Sequence, residues 1–120
     1  MTDMNDFVGL VFTSITRTDD AITFEALFDG RKFVMNHDQD CCEAVYIESI
    51  VGDLDDLLFS PILMAEEATS TDNPKEDSDE SHTWTFYKFA TIKGYVDIRW
   101  YGSSNGYYSE TASIREVTHA

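Results

Sequence analysis

The chain has 120 residues, which suits one domain and is too short for two of ordinary size. Hydrophobic residues make up 42% and aromatic residues 13%, a composition typical of a packed globular protein, which argues against a wholly disordered acidic chain. The formal net charge of −15 disfavours direct binding to nucleic acid or to an anionic membrane surface and favours basic partners.

The N-terminal half is predicted to form four strands. Leu10 to Arg17 and Ala21 to Phe28 are rich in β-branched and aromatic residues, and the polar residues between them indicate a hairpin. In the second of these strands apolar and polar side chains alternate, so one face is expected to be core. A turn at Asp29-Gly30 leads into a third strand, Arg31 to Asn36, and a fourth covers Ala44 to Val51.

The middle of the chain is predicted to be less regular. Asp53 is placed to cap a short helix that includes Leu54 to Leu58, and Ile62 to Ala65 forms a brief strand. The segment at about 66–81 has no apolar period and contains Pro74, which predicts an exposed acidic loop.

Three further strands are predicted in the last third: Thr83 to Ile92, Tyr95 to Tyr101 and Tyr107 to Val117. Lys93-Gly94 turns the first pair, and Asn105-Gly106 marks a hairpin between the second pair. The sequence therefore predicts one α+β domain over residues 1–120, mainly an antiparallel β-sheet of six to eight short strands with one or two short helices.

The negative charge is concentrated in one segment. Between Asn36 and Glu80 there are fourteen carboxylates and one base, Lys75, so that this segment carries −13 and the rest of the chain −2. No early stretch combines a basic flank with an apolar run, and the most apolar window, Leu54 to Ala65, is interrupted by charged residues and Pro61. We therefore expect no signal peptide, no membrane span and a cytoplasmic location.

Two short motifs favour ordinary structural roles. Gly102 to Gly106 has the letters of the G-x-S-x-G nucleophile elbow, but a strand is predicted after it instead of the required helix, so a turn is favoured. His37 to Glu43 is a run of potential zinc ligands, with His82 or Glu110 as distant candidates, yet no second cysteine pair completes a site. We predict no metal and no cofactor.

The adjacent Cys41 and Cys42 lie within that run. A disulfide between neighbouring residues is strained, and disulfides are rare in a cytoplasm, so reduced thiols in a polar loop are expected.

Two sets of residues are candidates for binding. The first presents spaced carboxylates that imitate the phosphates of a nucleic acid and steer towards a basic protein surface. Its members are Asp38, Asp40, Glu43, Asp53, Asp55, Asp56, Glu66 and Glu67. The second set surrounds the predicted Arg-Trp-Tyr hairpin and offers a guanidinium, an indole and phenols that can stack on a nucleotide. Its members are Arg99, Trp100, Tyr101, Ser104, Asn105, Tyr107 and Tyr108, with His37 and Gln39.

Several segments together resemble a family of small uncharacterised proteins carried by tailed bacteriophages and prophages, a domain of unknown function. They are NHDQDCCEAVYIESIVGDLDDLL, SPILMAEEA, WTFYKFATIKG and RWYGSSNGYYSE. The resemblance covers the chain from about Arg31 to Glu110 and implies synthesis in a bacterial cytoplasm during infection. It supplies no catalytic residues.

The function expected first is a non-enzymatic acidic protein that binds and inhibits a host protein, such as a nucleic-acid-handling defence factor, through a basic surface on that protein. The alternative is a sponge that sequesters a nucleotide signal at the Arg-Trp-Tyr hairpin. Neither function involves a membrane or direct nucleic-acid binding.

Overall fold

The computed structural model describes residues 4–26, 30–75 and 77–117, which form eight β-strands and two 3₁₀ helices. The strands are β1 Phe12–Arg17, β2 Ala21–Ala26, β3 Lys32–Asn36, β4 Ala44–Val51, β5 Met64–Ser70, β6 Ser81–Thr91, β7 Gly94–Ser104 and β8 Ser113–Val117. The 3₁₀ helices are Met4–Phe7 and Leu54–Leu57. The prediction of a mainly antiparallel β-structure is confirmed. The α+β class is not confirmed, because no α-helix occurs in these ranges and the described residues are β-rich with two isolated 3₁₀ turns.

The strands form two four-stranded antiparallel sheets. The first has the order β1-β2-β3-β8 and the second has the order β4-β7-β6-β5. The predicted β1–β2 hairpin is present, with the Thr18 amide donating to the Ala21 carbonyl at 2.8 Å. Phe28 and Asp29, at the end of the second predicted strand and in the turn after it, lie outside the described residues. No helix in the described ranges is long and apolar enough to cross a membrane.

A shared aromatic core joins the inner faces of the sheets. Phe7, from the first 3₁₀ helix, is fully buried, with its ring centre 4.6 Å from that of Phe33 in the first sheet and 6.0 Å from that of Phe89 in the second. Trp100 is also fully buried and donates its indole N–H to the Met35 sulfur at 3.3 Å. Burying an aromatic side chain contributes about 1.5–3 kcal/mol, so these contacts hold the sheets together.

The C-terminal strand is shorter than predicted and pairs with a different partner. Only Ser113–Val117 is extended, and this strand pairs with β3 in the first sheet. The predicted hairpin at Asn105-Gly106 is therefore wrong, and the chain crosses there from one sheet to the other. The physical reason is that β7 already has β4 on one side and β6 on the other, so it has no free edge for a following strand.

The predicted acidic loop is shorter than expected because β5 extends to Ser70 and pairs along its length with β6. An edge strand tolerates its exposed acidic residues. The remaining loop is fixed to the second sheet at its base. The indole N–H of Trp84 donates to the carbonyls of Asp72 and Asn73 at 3.0 and 3.1 Å.

Candidate functional site

Three predicted carboxylates lie together at the second 3₁₀ helix. Asp53 caps this helix, as predicted, and its side chain accepts the Asp55 amide N–H at 2.9 Å. Asp53 and Asp55 are exposed and Asp56 is half-buried. The Asp56 carbonyl accepts a hydrogen bond from the Thr91 hydroxyl, which ties the helix to the turn between β6 and β7. The sequence run Asp-x-Asp-Asp thus presents negative charge at one end of the second sheet.

The other exposed carboxylates of the first set are elsewhere. Asp38 and Asp40 are exposed in the connection before β4, and Asp38 is 3.4 Å from the Arg115 guanidinium. Glu66 and Glu67 are exposed on β5, where consecutive side chains point to opposite faces. The predicted acidic set is therefore spread over both ends and one edge of the second sheet instead of forming one cluster.

Glu43 is the member of that set that does not reach the surface. Its side chain is fully buried and accepts hydrogen bonds from the amides of Asp40 and Cys41 at 3.0 and 2.9 Å and from the Gln39 side chain at 3.1 Å. Burial raises its pKa, but the hydrogen bonds from Cys41, His37 and Asp40 outweigh burial and lower the pKa from 4.5 to about 2. Glu43 therefore organises the loop before β4 and is not a partner contact.

His37 is the counterpart of Glu43 in this buried group. Its Nε2 is 2.8 Å from a Glu43 carboxylate oxygen and its Nδ1 is 3.0 Å from the Thr111 carbonyl oxygen. The pair links the β3–β4 connection to the segment before β8, so its role is structural.

The two cysteines differ from expectation. The structure joins Cys41 and Cys42 in a disulfide, whereas reduced thiols are expected from the sequence. The Cys41 amide is held by Glu43. Among the residues described, no group of three potential ligands is arranged to hold a metal ion. The distant candidate Glu110 instead accepts hydrogen bonds from the hydroxyls of Thr83 and Ser104.

The predicted nucleotide-binding set is not brought together. Arg99 and Trp100 are adjacent on β7 and so face opposite sides of the second sheet, with Trp100 in the core. Tyr101 is 1% exposed beneath the acidic loop, whereas Tyr107 is 88% exposed beyond the strand. Tyr108 is half-buried and Asn105 is exposed. The Ser104 hydroxyl is hydrogen-bonded to Glu110, and the side chains of His37 and Gln39 are hydrogen-bonded to Glu43. Arg99 alone lies on an open cleft lined by aromatic rings.

A surface that the sequence did not reveal surrounds the turn between β6 and β7. We call it the apolar patch, and it comprises Val51, Phe59, Leu63, Ile92 and Tyr95, which are 57 to 83% exposed. One backbone contact and one side-chain contact place Leu63 and Phe59 near the turn: the Leu63 amide donates to the Ala90 carbonyl at 2.8 Å, and Lys93 Nζ is 5.9 Å from the Phe59 ring centre. The acidic 3₁₀ helix is attached to the same turn, so apolar and acidic side chains adjoin.

A second unpredicted feature is a cleft on the outer face of the second sheet. We call it the outer cleft, and it is lined by Glu66, Ala68, Phe86, Tyr87, Lys88, Asp97 and Arg99, with a volume of about 370 Å³. The alternation of β6 puts Phe86 and Lys88 on the face opposite Tyr87 and Phe89. The sequence does show that Trp84, Phe86 and Lys88 occupy alternate positions and therefore share one face of the strand. It does not show which of the two faces is covered by the other sheet.

Comparison with known proteins identifies the family but no characterised relative. No curated protein and no solved structure matches the chain. A family model described as "Domain of unknown function (DUF7448)" matches residues 5–114, which includes β1 to β7 and the first two residues of β8. The chain therefore belongs to this uncharacterised family.

Proposed function

We propose that the protein is a non-enzymatic binding protein that engages a basic surface of a partner protein through the apolar patch and the adjoining 3₁₀ helix. One observation carries this proposal: the exposed side chains of Phe59 and Ile92 lie at the same turn as Asp53, Asp55 and Asp56. Apolar side chains surrounded by charge are the usual anatomy of a protein interface.

The two parts of this surface have different tasks. The carboxylates attract a basic partner over a distance and favour fast association, but exposed charges add little binding energy once water screens them. The apolar side chains supply the binding energy by losing contact with water. Phe59 is the strongest anchor candidate because it is aromatic and 66% exposed.

The wider distribution of acids supports imitation of a nucleic acid. Asp38 and Asp40 precede β4 and Asp53 follows it, so the two acidic groups flank a strand of eight residues, roughly 25 Å long. Negative charge at such intervals resembles a phosphate backbone to a basic groove. The resemblance to bacteriophage proteins favours a host protein that handles nucleic acid as the target, bound and inhibited in the bacterial cytoplasm.

The test has two steps. A pull-down from bacterial lysate first identifies the partner that the protein retains, and binding of variants to that immobilised partner is then measured. Replacing Asp53, Asp55 and Asp56 by Asn keeps the helix cap, since Asn also accepts amide hydrogen bonds. We expect this variant to bind more slowly and with a weaker dependence on salt. Phe59→Asn is expected to weaken binding at every salt concentration.

The matched control removes three charges elsewhere. Asp6, Asp19 and Asp20 are exposed residues outside the predicted contact region, and their replacement by Asn gives the same net charge. If this control weakens binding as much as the Asp53, Asp55 and Asp56 variant, the interaction depends on net charge alone and the proposed surface is wrong. Retention of no basic protein at low salt would also contradict the proposal.

A further inference from the structure

The outer face of the second sheet has a regular arrangement of aromatic and charged side chains. One row across the sheet contains Tyr46, Tyr101 and Trp84, and the next contains Ser49, Arg99, Phe86 and Ala68. The third contains Val51, Asp97, Lys88 and Glu66. The first sheet packs on the opposite face, and among residues 4–26, 30–75 and 77–117 it is the acidic loop that folds over these rows, at Trp84 and Tyr101.

Arg99 is held in place by aromatic rings. Its guanidinium carbon is 5.1 Å from the Trp84 ring centre and 5.8 Å from the Phe86 ring centre, and the two rings are nearly parallel at 10°. Such contacts fix a guanidinium without neutralising it. No carboxylate oxygen of the described residues lies within 4.0 Å of the nitrogens of Arg99 or Lys88. Within the described part of this strongly acidic chain, these two cations thus have no ion-pair partner.

The floor of the outer cleft contains further polar atoms without partners. Arg99 Nε and Asp97 Oδ1 are buried and make no hydrogen bond within the described part of the chain. Outside the lining of the cleft, Ser49 Oγ and Glu48 Oε2 on the neighbouring β4 are also buried without a hydrogen bond in the described part of the chain. Buried polar groups are nearly always hydrogen-bonded in native proteins, so water or a ligand is expected to complete this group.

The outer cleft also continues beyond its own lining. A second cavity of about 210 Å³ is lined by Ser70, Asp72, Asn73, Trp84, Phe86 and Arg99. Phe86 and Arg99 line both cavities, so the pair forms the ridge between them. Together the two spaces fall in the size range of small-molecule sites.

We propose that the outer cleft binds a mononucleotide. The base would stack on the aromatic surface of Phe86 and Trp84, which is the usual way of holding a planar heterocycle. The phosphate would be bound by Lys88 and the terminal nitrogens of Arg99, and Asp97 or Glu66 would accept hydrogen bonds from the ribose hydroxyls. A nucleotide would use all three kinds of side chain that line this cleft: aromatic, basic and acidic.

This inference is independent of the proposed protein partner, because no residue that lines the outer cleft belongs to the apolar patch, although Val51 of that patch lies at the end of the third row. It retains Arg99 from the nucleotide-binding residues expected from the sequence. Trp84 and Phe86 take the place of Trp100, which is in the core.

Isothermal titration of the full chain with AMP, GMP, CMP and UMP tests the proposal. We expect at least one of them to bind with a dissociation constant of about 1 mM or below. Arg99→Gln is expected to weaken that binding roughly tenfold to hundredfold, the usual effect of losing hydrogen bonds to a charged group. Lys88→Gln should also weaken nucleotide binding. Because Lys88 is exposed, this variant should remain folded even if Arg99→Gln does not.

Arg17→Gln is the matched control, because Arg17 is an exposed cation at the end of β1 in the other sheet. Its binding should equal that of the unmodified chain. No binding of any mononucleotide to folded protein overturns the proposal, and so does binding that both cleft variants leave unchanged. Equal affinity for inorganic phosphate or for the parent nucleosides overturns it as well, since each probe lacks one of the groups that the cleft is proposed to recognise.

Discussion

At the scale of single residues, three positions combine an unusual environment with a measurable consequence. Glu43 is a buried carboxylate that stays ionised because its hydrogen bonds outweigh burial. Gly102 lies where a neighbouring backbone leaves no room for a side chain. Phe59 presents an exposed ring from a left-handed backbone conformation with φ of 62°. The first two serve the fold, and the third belongs to the surface proposed for partner binding.

The Glu43 carboxylate makes stability depend on pH. Its pKa is about 2 in the folded chain and ordinarily 4.5, so the unfolded chain binds the proton more readily. The stabilisation is therefore complete above the unfolded value and is lost as the pH falls from about 4.5 to about 2. In urea unfolding, Glu43→Gln should flatten the pH dependence across this interval, whereas Glu66→Gln, an exposed control, should not. An unchanged slope in Glu43→Gln would contradict the assignment.

Gly102 is required for close approach of two backbones. A Cβ atom at this position would lie 2.0 Å from the Glu110 carbonyl oxygen, and backbone cannot move aside as a side chain can. We expect Gly102→Ala to destabilise the fold by about 1–3 kcal/mol and to lower Tm by roughly 5–10 °C. Ser103→Ala, on the same strand, should change Tm little. Equal Tm values for the two variants would show that the crossing after β7 is looser than described.

Substitution of Phe59 distinguishes a role of this side chain in fold stability from a role in partner binding. A non-glycine residue in the left-handed region costs about 1–2 kcal/mol, and Asn tolerates this region better than Phe does. Phe59→Asn should leave the free energy of unfolding unchanged or raise it by about 1 kcal/mol while it weakens partner binding. Leu63→Asn, an exposed position of the same patch without positive φ, should give no such gain. Clear destabilisation by Phe59→Asn in urea unfolding would mean that its ring supports the fold.

At the scale of elements, the acidic loop is more ordered than its composition indicates. The Tyr101 hydroxyl donates to the Asp79 carboxylate and accepts the Lys75 amide N–H, and the ring beneath is covered. A sequence rich in acidic residues and containing proline predicts exposure, and that is correct for most side chains between Thr71 and Glu80. It does not predict that buried aromatic side chains of the sheet anchor the loop backbone.

Removing that anchor should release the loop. Tyr101→Phe keeps the ring but removes both hydrogen bonds, each worth about 1 kcal/mol. We expect faster tryptic cleavage after Lys75 with only a small change in Tm, because the strands themselves stay paired. Tyr107→Phe is the control, since the Tyr107 side chain is 88% exposed. Identical cleavage rates for the two variants would indicate that the hydroxyl does not hold the loop.

At the scale of the whole molecule, the net charge of −15 opposes folding through self-repulsion. Raising NaCl from about 10 mM to about 150 mM shortens the screening length from about 30 Å to about 8 Å. Tm should therefore rise by a few degrees, and the rise should be smaller when Asp53, Asp55 and Asp56 are replaced by Asn. A Tm that falls with salt would show that attractive ion pairs outweigh the repulsion.

The sequence by itself determined the local features of this protein. The strand Ala44–Val51, the cap at Asp53 and the concentration of acidic residues in the middle of the chain all follow from neighbouring residues, because strand propensity, capping and charge are local properties. The antiparallel β character follows from the same patterns.

Only the tertiary structure decided which strands are neighbours and which faces are open. Asn105-Gly106 has the local chemistry of a hairpin, but β7 has no free edge, and β8 gains its hydrogen bonds from β3 instead. The alternation of side chains along β7 puts Arg99 and Trp100 on opposite faces of the sheet. Which face is core is decided by the packing of the first sheet, which buries Trp100 and leaves Arg99 lining a cleft. Pairing between distant segments depends on the burial that the whole chain achieves, which no local pattern specifies.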